Sequence, residues 1–310
     1  MKYFRVAITG GAGFIGSEIC RKLLASGTEI LVYDNLFTGK ESNLPSQANG
    51  LLLENGDIND TRHLENVLVD FRPNVVYHLA AIHYIPYCDT HPQETIKVNV
   101  EGTESVLQMC QKLPSLEKIL LASSASVYKI NDGANIEIDQ PDPYDIYGYS
   151  KYFCERLGAK FYYQTSIPTL IARLFNTYGP YETNPHVIPR IIDQVRTGSN
   201  TITLGDVSPK RDFIFVEDVA EALIALVEGY DHSFDTFNIG TGREHSVEKV
   251  IDTIAKILKR EIKINSADDL KRKVDRMHLL ADVTKIKATI GWSARFSIEE
   301  GLQKTLDFYL

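Results

Sequence analysis

The chain has 310 residues, of which 44% are hydrophobic and 24% are charged, and its formal net charge is −8. This composition is typical of a globular protein, and the negative charge argues against a broad nucleic-acid-binding surface. The sequence has neither an apolar run near the roughly 20 residues of a membrane helix nor the pattern of a signal peptide. We therefore expect a cytoplasmic protein that binds neither nucleic acid nor membrane, with its four scattered cysteines reduced and buried.

Short apolar runs typical of strands alternate with helical periods through the first half of the chain. The predicted strands are Phe4–Thr9, Ile30–Tyr33, Leu51–Leu53, Val75–Leu79, Lys118–Ala122 and Thr169–Leu174, and the predicted helices lie near 14–26, 60–71, 93–112 and 148–165. Apolar strands without clean alternation are typical of sheets covered on both faces. The sequence therefore predicts an α/β fold, a doubly wound parallel sheet of the Rossmann type with right-handed crossovers.

The second half of the chain is less regular. Residues 213–229 predict a strand, a helix cap at Asp218 and a helix, and further helical periods lie at 246–259, near 282–290 and at 297–309. We expect residues 1–174 to form the Rossmann domain and 175–310 to form mainly a smaller C-terminal substrate lobe. Residues 212–242 are predicted to return to the main sheet.

A glycine-rich loop, ITGGAGFIGS, occupies residues 8–17 between the first strand and the first helix. Glycines at this position let the backbone approach a pyrophosphate, and the helix N-terminus presents free N–H groups to the phosphates. Asp34 ends the second strand, where a carboxylate accepts hydrogen bonds from an adenosine ribose and repels a 2′-phosphate. The pattern therefore predicts NAD as the cofactor, and the alternative is a tight structural turn without a ligand.

Tyr147 stands four residues before Lys151, so a helix places both side chains on one face. The lysine ammonium favours the phenolate and lowers the tyrosine pKa, which suits the phenol to take a proton from a sugar hydroxyl. Ser124 follows a predicted strand, at the edge where doubly wound sheets bind ligands. The alternative interpretation is a helix start that is merely rich in aromatic residues.

Several motifs occur in a fixed order along nearly the whole chain. They are TGGAGFIGS, GDI (56–58), HLAA (78–81), NVEGT (99–103), SSASVY, YGYSK, RLFNTYGP (173–180), KRDFIFVEDVA (210–220) and ADVTKIKATIGW (281–292). Together they resemble the extended short-chain dehydrogenase/reductase family, and within it the nucleotide-sugar epimerase/dehydratase branch.

The resemblance implies a set of site residues and a homodimer. The catalytic residues would be Tyr147, Lys151 and Ser124. With Tyr147 and Lys151, the cofactor would contact Gly10, Gly13, Phe14, Ile15, Gly16, Asp34, Asn35, Asp57, Ile58, Leu79, Ala80, Ala81, Asn99 and Ser123. With Ser124 and Tyr147, the substrate, most simply a UDP-sugar, would contact Asn176, His186, Val187, Arg211 and Arg272. Helical stripes such as Phe153, Leu157 and Phe161 would either form the dimer contact or pack on the chain's own sheet.

Departures from the family pattern indicate the reaction. Ala125 and Ser126 stand where 4,6-dehydratases carry an Asp-Glu pair, and the decarboxylase signatures find no match. We expect a 4-epimerase that acts through a 4-keto intermediate; the alternative is a 4-ketoreductase or dehydrogenase of the same family. His83, Cys88 and His91 lack the spacing of a metal site, so no metal is predicted and the segment 83–91 is expected to form a bulky pocket wall.

Overall fold

The computed structural model describes residues 2–45, 49–267, 270 and 276–310. The helices are α1 Phe14–Ala25, α2 Thr61–Phe71, α3 Ile85–Thr90, α4 Pro92–Ile96, α5 Gly102–Gln111, α6 Ile146–Thr165, α7 Val187–Arg196, α8 Val216–Gly229, α9 Val247–Ile257, α10 Thr284–Ile290 and α11 Ile298–Tyr309. The strands are β1 Arg5–Thr9, β2 Glu29–Asp34, β3 Leu51–Asn55, β4 Val75–His78, β5 Lys118–Ser124, β6 Ala134–Asn135, β7 Thr169–Leu174, β8 Asn176–Tyr178, β9 Thr201–Leu204, β10 Lys210–Arg211, β11 Phe213–Phe215, β12 Phe234–Ile239, β13 His245–Ser246, β14 Lys263–Ser266 and β15 Leu280–Ala281.

Seven parallel strands form the central sheet in the order β3-β2-β1-β4-β5-β7-β12. The strand order reverses between β1 and β4, and ligands of such sheets bind in the crevice at the carboxyl ends of the strands near this point. Both faces of the sheet are covered, and every residue of β4 and β5 is buried. The predicted doubly wound α/β fold is confirmed.

Two hydrophobic cores cover the two faces of the sheet. One core joins α1 and α8 to the sheet through residues such as Ile19, Leu223 and Ile30. The other contains Leu107 and Phe161 from the helices predicted to carry dimer stripes. These two side chains therefore pack within the chain, whereas Phe153 on α6 is 58% exposed.

A third core lies mainly in the C-terminal half, where α7, α9 and α11 contribute Ile191, Val250 and Leu302. The prediction that Asp218 caps a helix is wrong. Helix α8 begins at Val216, so Asp218 lies in its first turn, and its carboxylate Oδ2 accepts backbone N–H groups of Arg295 and Phe296 at 3.1 and 3.0 Å. The carboxylate thus fixes the approach to α11 rather than the start of its own helix.

None of the helices in the described ranges is long and apolar enough to cross a bilayer.

All four cysteines, Cys20, Cys88, Cys110 and Cys154, are buried free thiols. The structure therefore contains no disulfide among these residues.

Candidate active site

A cavity of about 740 Å³ opens at the carboxyl ends of the sheet strands and extends toward α7 and β10. Most of the predicted site residues line it. These are Gly10, Gly13, Phe14, Ile15, Gly16, Asp34, Asn35, Asp57, Ile58, Leu79, Ala80, Ala81, Ser123, Ser124, Tyr147, Lys151, Asn176, His186, Val187 and Arg211. The structure therefore brings the predicted cofactor, catalytic and substrate residues together on one continuous surface.

The glycine loop between β1 and α1 requires residues without a Cβ at two positions. Gly10 has φ of +73°, and a Cβ there would lie 2.7 Å from the backbone nitrogen of Ala80. A Cβ on Gly16 would lie 2.4 Å from the carbonyl oxygen of Gly10, so α1 packs directly against the loop. This tight approach leaves the first N–H groups of α1 at the cavity wall, where a pyrophosphate would bind.

Asp34 is 7% exposed at the end of β2. Its carboxylate accepts the backbone N–H groups of Ala12 and Leu36, both at 2.9 Å. Burial raises the pKa of Asp34, and these two hydrogen bonds act in the opposite direction. A carboxylate has about four acceptor positions, so Asp34 can brace the glycine loop and still accept a ribose hydroxyl.

Asp57 follows β3 at the same edge of the sheet. Its Oδ1 accepts the backbone and side-chain N–H groups of Asn59 at 2.8 and 3.0 Å, and its Oδ2 accepts from Asn35 at 3.3 Å. Burial opposes ionisation, but the hydrogen bonds from Asn59 and Asn35 lower the pKa of Asp57 overall. Asp57 is thus held as an ordered acceptor beside Asp34.

The predicted catalytic side chains Ser124 and Tyr147 come close together because α6 begins against the turn that follows β5. The Asp145 side chain caps α6 by accepting the Gly148 N–H at 2.7 Å. A Cβ on Gly148 would lie 2.5 Å from the carbonyl oxygen of Ser126, so only glycine allows this approach. Tyr147 and Ser124 are each 9% exposed and both line the cavity, and the Ser124 hydroxyl lies close enough to the Tyr147 phenol to lower its pKa.

The structure corrects the predicted direction of the Tyr147 pKa shift. Burial raises the pKa of Tyr147 and outweighs the effect of the Ser124 hydroxyl, which lowers it. Burial also lowers the pKa of Lys151, which is 6% exposed. Desolvation therefore opposes the phenolate form of Tyr147, and the Ser124 hydroxyl acts in the opposite direction.

Asn99 does not line the cavity, in contrast to the prediction from the resemblance. It lies in a π-helical segment, Lys97–Glu101, and is 1% exposed. Its side chain accepts the backbone N–H of Ile82 at 2.8 Å and donates to the Ile82 carbonyl and the Ser150 hydroxyl, both at 2.9 Å. Asn99 therefore ties the segment after β4 to α6, which carries Tyr147.

The far end of the cavity carries the predicted substrate residues. Asn176 begins β8, which pairs with β11, and Arg211 ends β10. The Arg211 guanidinium donates to the carbonyl oxygens of Lys210 and Arg276 at 2.8 and 2.7 Å. These bonds fix the position of the guanidinium at the edge of the cavity. Arg272 lies outside the described residues.

Arg276 lines the cavity and was not predicted from the sequence. It is 3% exposed, and its guanidinium donates to the carbonyl oxygens of Ser126 and Tyr128 at 3.2 and 2.5 Å. The same group lies 4.8 Å from the Tyr144 ring centroid. Arg276 thus braces the turn after Ser124 from the C-terminal half of the chain. Its position in the basic run KRKVDR does not indicate that its side chain is buried.

The segment after β4 forms part of the cavity wall through His83, Tyr84, Ile85 and Pro86. The Nε2 atom of His83 lies 3.0 Å from the Asn184 amide nitrogen. Burial, with smaller contributions from nearby positive groups, lowers the pKa of His83 to about 3. Among the described residues, no group of three or more His, Cys, Asp or Glu side chains could hold a metal ion.

Comparison with known proteins identifies the family. Residues 7–305 match the profile of the GDP-mannose 4,6-dehydratase family. A UDP-glucuronic acid decarboxylase from Arabidopsis thaliana is 32% identical over 98% of this chain and 69% of its own length. A putative UDP-glucose 4-epimerase from Methanocaldococcus jannaschii is 31% identical over 98% of this chain and 97% of its own.

The chain belongs to this family of nucleotide-sugar-modifying, extended short-chain dehydrogenases/reductases. A solved neighbour is UDP-glucuronic acid 4-epimerase from Bacillus cereus, in complex with UDP-glucuronic acid and NAD. It superposes with a TM-score of 0.91 at 27% identity, covering 98% of each chain. The family prediction is therefore confirmed. The predicted NAD cofactor is confirmed at the level of the family.

The residues of the cavity wall near the glycine loop fit a dinucleotide. The loop excludes a Cβ at Gly10 and Gly16, and ordered acceptors stand at Asp34 and Asp57 along the same cavity wall. Gly39 also packs against the Asp34 carboxylate, since a Cβ there would lie 3.0 Å from both carboxylate oxygens. The wall therefore provides backbone donors for a pyrophosphate and acceptors for ribose or adenine.

Proposed function

We propose that the protein is an NAD-dependent 4-epimerase of a nucleotide-diphosphate sugar, most simply a UDP-sugar, acting through a 4-keto intermediate. The observation that carries the proposal is the placement of the nearly buried Ser124 and Tyr147 side chains in the same cavity as the glycine loop. When bound beside the glycine loop, NAD would supply reversible hydride transfer at C4 of the sugar. A phenol at this place supplies the matching proton transfer at O4.

Each residue of the pair has a defined part in the proposed reaction. Tyr147 would accept the 4-hydroxyl proton as its phenolate, become the neutral phenol, and return the proton after the sugar has presented its other face. Ser124 would hold O4 and the phenol oxygen together, because its hydroxyl both donates and accepts. Lys151, one helical turn beyond Tyr147, would hold the nicotinamide ribose, and Arg211 would bind the diphosphate.

The side chains after Ser124 favour epimerisation over loss of water. Ala125 and Ser126 both line the cavity and offer no carboxylate for dehydration. Among the described residues, the cavity is lined by the carboxylates of Asp34, Asp57, Glu94, Glu182 and Asp206. None of these residues directly follows Ser124 in the chain, and Glu182 is bonded to His186. The second candidate is a 4-ketoreductase or dehydrogenase, which the same Ser124–Tyr147 pair would also support.

Product analysis separates these functions. Purified protein would be incubated with UDP-glucose, UDP-N-acetylglucosamine or UDP-glucuronate without added reductant, and the products identified by NMR while absorbance at 340 nm is followed. The proposal predicts a 4-epimer and no net absorbance change. Release of CO₂ with a UDP-pentose, or a stoichiometric rise of NADH, would instead identify a decarboxylase or a dehydrogenase.

A further inference from the structure

A carboxylate–imidazole pair stands at the substrate end of the cavity. Nδ1 of His186 lies 2.5 Å from Oε1 of Glu182, so the imidazole N–H donates to the carboxylate. The Glu182 side chain is 2% exposed, whereas that of His186 is 38% exposed. Both residues line the cavity, and the carboxylate lies behind the ring as seen from solvent.

The burial of Glu182 calls for an explanation. Its second oxygen, Oε2, is buried and has no hydrogen-bond partner in the described part of the chain. Burial raises the pKa of Glu182, and the bond to His186 acts in the opposite direction. Burying a carboxylate with one oxygen unsatisfied costs free energy, and Glu182 does so in the wall of the cavity, where a role in the site can offset that cost.

The surroundings fix the His186 ring. Its centroid lies 5.6 Å from that of His83 and 5.7 Å from that of Tyr84. His83 is itself held by the Asn184 amide, and the side chain of Arg190, one turn further along, also lines the cavity. With Nδ1 bonded to Glu182, Nε2 is the ring nitrogen left to meet a ligand, since no described residue bonds to it.

We propose that Glu182 is a positioning residue for the substrate: it fixes the tautomer and orientation of His186 so that Nε2 makes a hydrogen bond to the bound nucleotide-diphosphate sugar. This inference rests on the proposed substrate class but not on which reaction follows. A carboxylate that holds one nitrogen of an imidazole determines how the other nitrogen is presented. Glu182 itself does not touch the substrate.

A double-mutant cycle tests the inference in NAD-loaded protein. The dissociation constants of UDP-glucose and UDP-glucuronate are measured by calorimetry for wild type, Glu182→Ala, His186→Asn and the double variant. We expect Glu182→Ala to weaken binding about tenfold in the wild-type background, the loss of one well-oriented hydrogen bond. In the His186→Asn background the same change should have less than about a twofold effect, because an amide needs no carboxylate to orient it.

Two further variants distinguish positioning from general damage. Glu182→Gln keeps the volume and an acceptor oxygen, so its affinity should return to within about threefold of wild type. Glu244 makes the same kind of bond to His278, at 2.8 Å, and also has a buried, unsatisfied Oε2, but neither residue lines the cavity. We therefore expect Glu244→Ala to bind both nucleotide sugars as wild type does.

The outcomes are separable. A loss on Glu182→Ala that is equal in both backgrounds, or no loss at all, overturns the positioning role while leaving the proposed function intact. Wild-type protein that binds neither nucleotide sugar overturns the proposed function itself, and that result appears before any variant is compared.

Discussion

Burial opposes ionisation of the Tyr147 phenol, and the Ser124 hydroxyl acts in the opposite direction. We predict that Tyr147→Phe lowers kcat by about a thousandfold and Ser124→Ala by about a hundredfold, within the range of general acid–base catalysis. Both variants should keep their NAD, measured after denaturation of the purified protein. A Phe variant within about tenfold of wild-type kcat would show that another group moves the proton.

His78 gives a residue-scale prediction about acid stability. It lies between the hydroxyl oxygens of Thr9 and Thr103, at 2.7 and 2.9 Å. Burial first, and then the charge of Lys151, lower the pKa of His78 to about 3, below the value near 6.5 of an unfolded chain. Between these two pH values the unfolded state binds more protons, so the folded protein loses stability as the pH falls.

We expect this histidine to make the free energy of unfolding decrease by about 1.4 kcal/mol for each pH unit below pH 6.5. Urea unfolding at pH 7, 6 and 5 measures it, and His78→Gln, which can bond to both threonines, should show a shallower slope than wild type. Equal slopes for the two proteins would mean that His78 is not the titrating group.

At the scale of elements, the contact between α6 and the turn after β5 sets the catalytic geometry. A Cβ on Gly148 would lie 2.5 Å from the Ser126 carbonyl oxygen and 2.8 Å from Pro143 Cβ. We predict that Gly148→Ala moves Tyr147 away from Ser124 and lowers kcat by about a hundredfold, although alanine is the better helix former. Steady-state kinetics and NAD content measure the effect.

Gly133 provides the matched control for this substitution. It has no positive φ, and a Cβ there would meet nothing within 4 Å. We expect Gly133→Ala to leave kcat unchanged and to alter the free energy of unfolding by less than about 0.5 kcal/mol. If Gly148→Ala behaves as this control does, the close approach is not needed for catalysis.

The elements of the central sheet could be predicted because each strand is a short apolar run between turn signals. Thr169–Leu174 is predicted with both bounds correct, and the other five predicted strands differ from the structure by one or two residues at an end. The seventh strand, Phe234–Ile239, is predicted only as part of the segment 212–242 that returns to the sheet. The helix predicted over 93–112 is interrupted by the π-helical segment Lys97–Glu101. Periodicity could not predict it, because the Asn99 side chain bonds to residues distant in sequence, Ile82 and Ser150.

Residues of the substrate end were harder to predict for a related reason. Arg276 and Glu182 are recognised by what they contact: Arg276 bonds to the turn after Ser124, and Glu182 bonds to His186. Nothing in their spacing distinguishes them from surface charges, since only the packing of the C-terminal half against the sheet brings them to the cavity. The glycine loop, Asp34 and the Tyr147–Lys151 pair, by contrast, are local patterns that a sequence displays directly.

At the scale of the whole molecule, the predicted homodimer stays a prediction with a definite surface. Tyr149, Phe153 and Tyr163 on α6 are 52%, 58% and 78% exposed, an unusual density of exposed aromatic rings for one helix. We predict that Phe153→Glu converts a dimer into a monomer, measured by light scattering at micromolar concentration. A variant with the mass of wild type, or a monomeric wild type, would contradict the assignment of this surface.

The central claim concerns the whole catalytic cycle, in which the hydrogen at C4 of the sugar leaves and returns within one active site. The direct measurement uses a nucleotide sugar deuterated at C4 with NAD-loaded protein in ordinary water, and mass spectrometry and NMR of the product. We predict that the 4-epimer keeps deuterium at C4 with no transfer to added NAD. A product with hydrogen at C4, or deuterium recovered in the NAD pool, would contradict epimerisation by the mechanism proposed here.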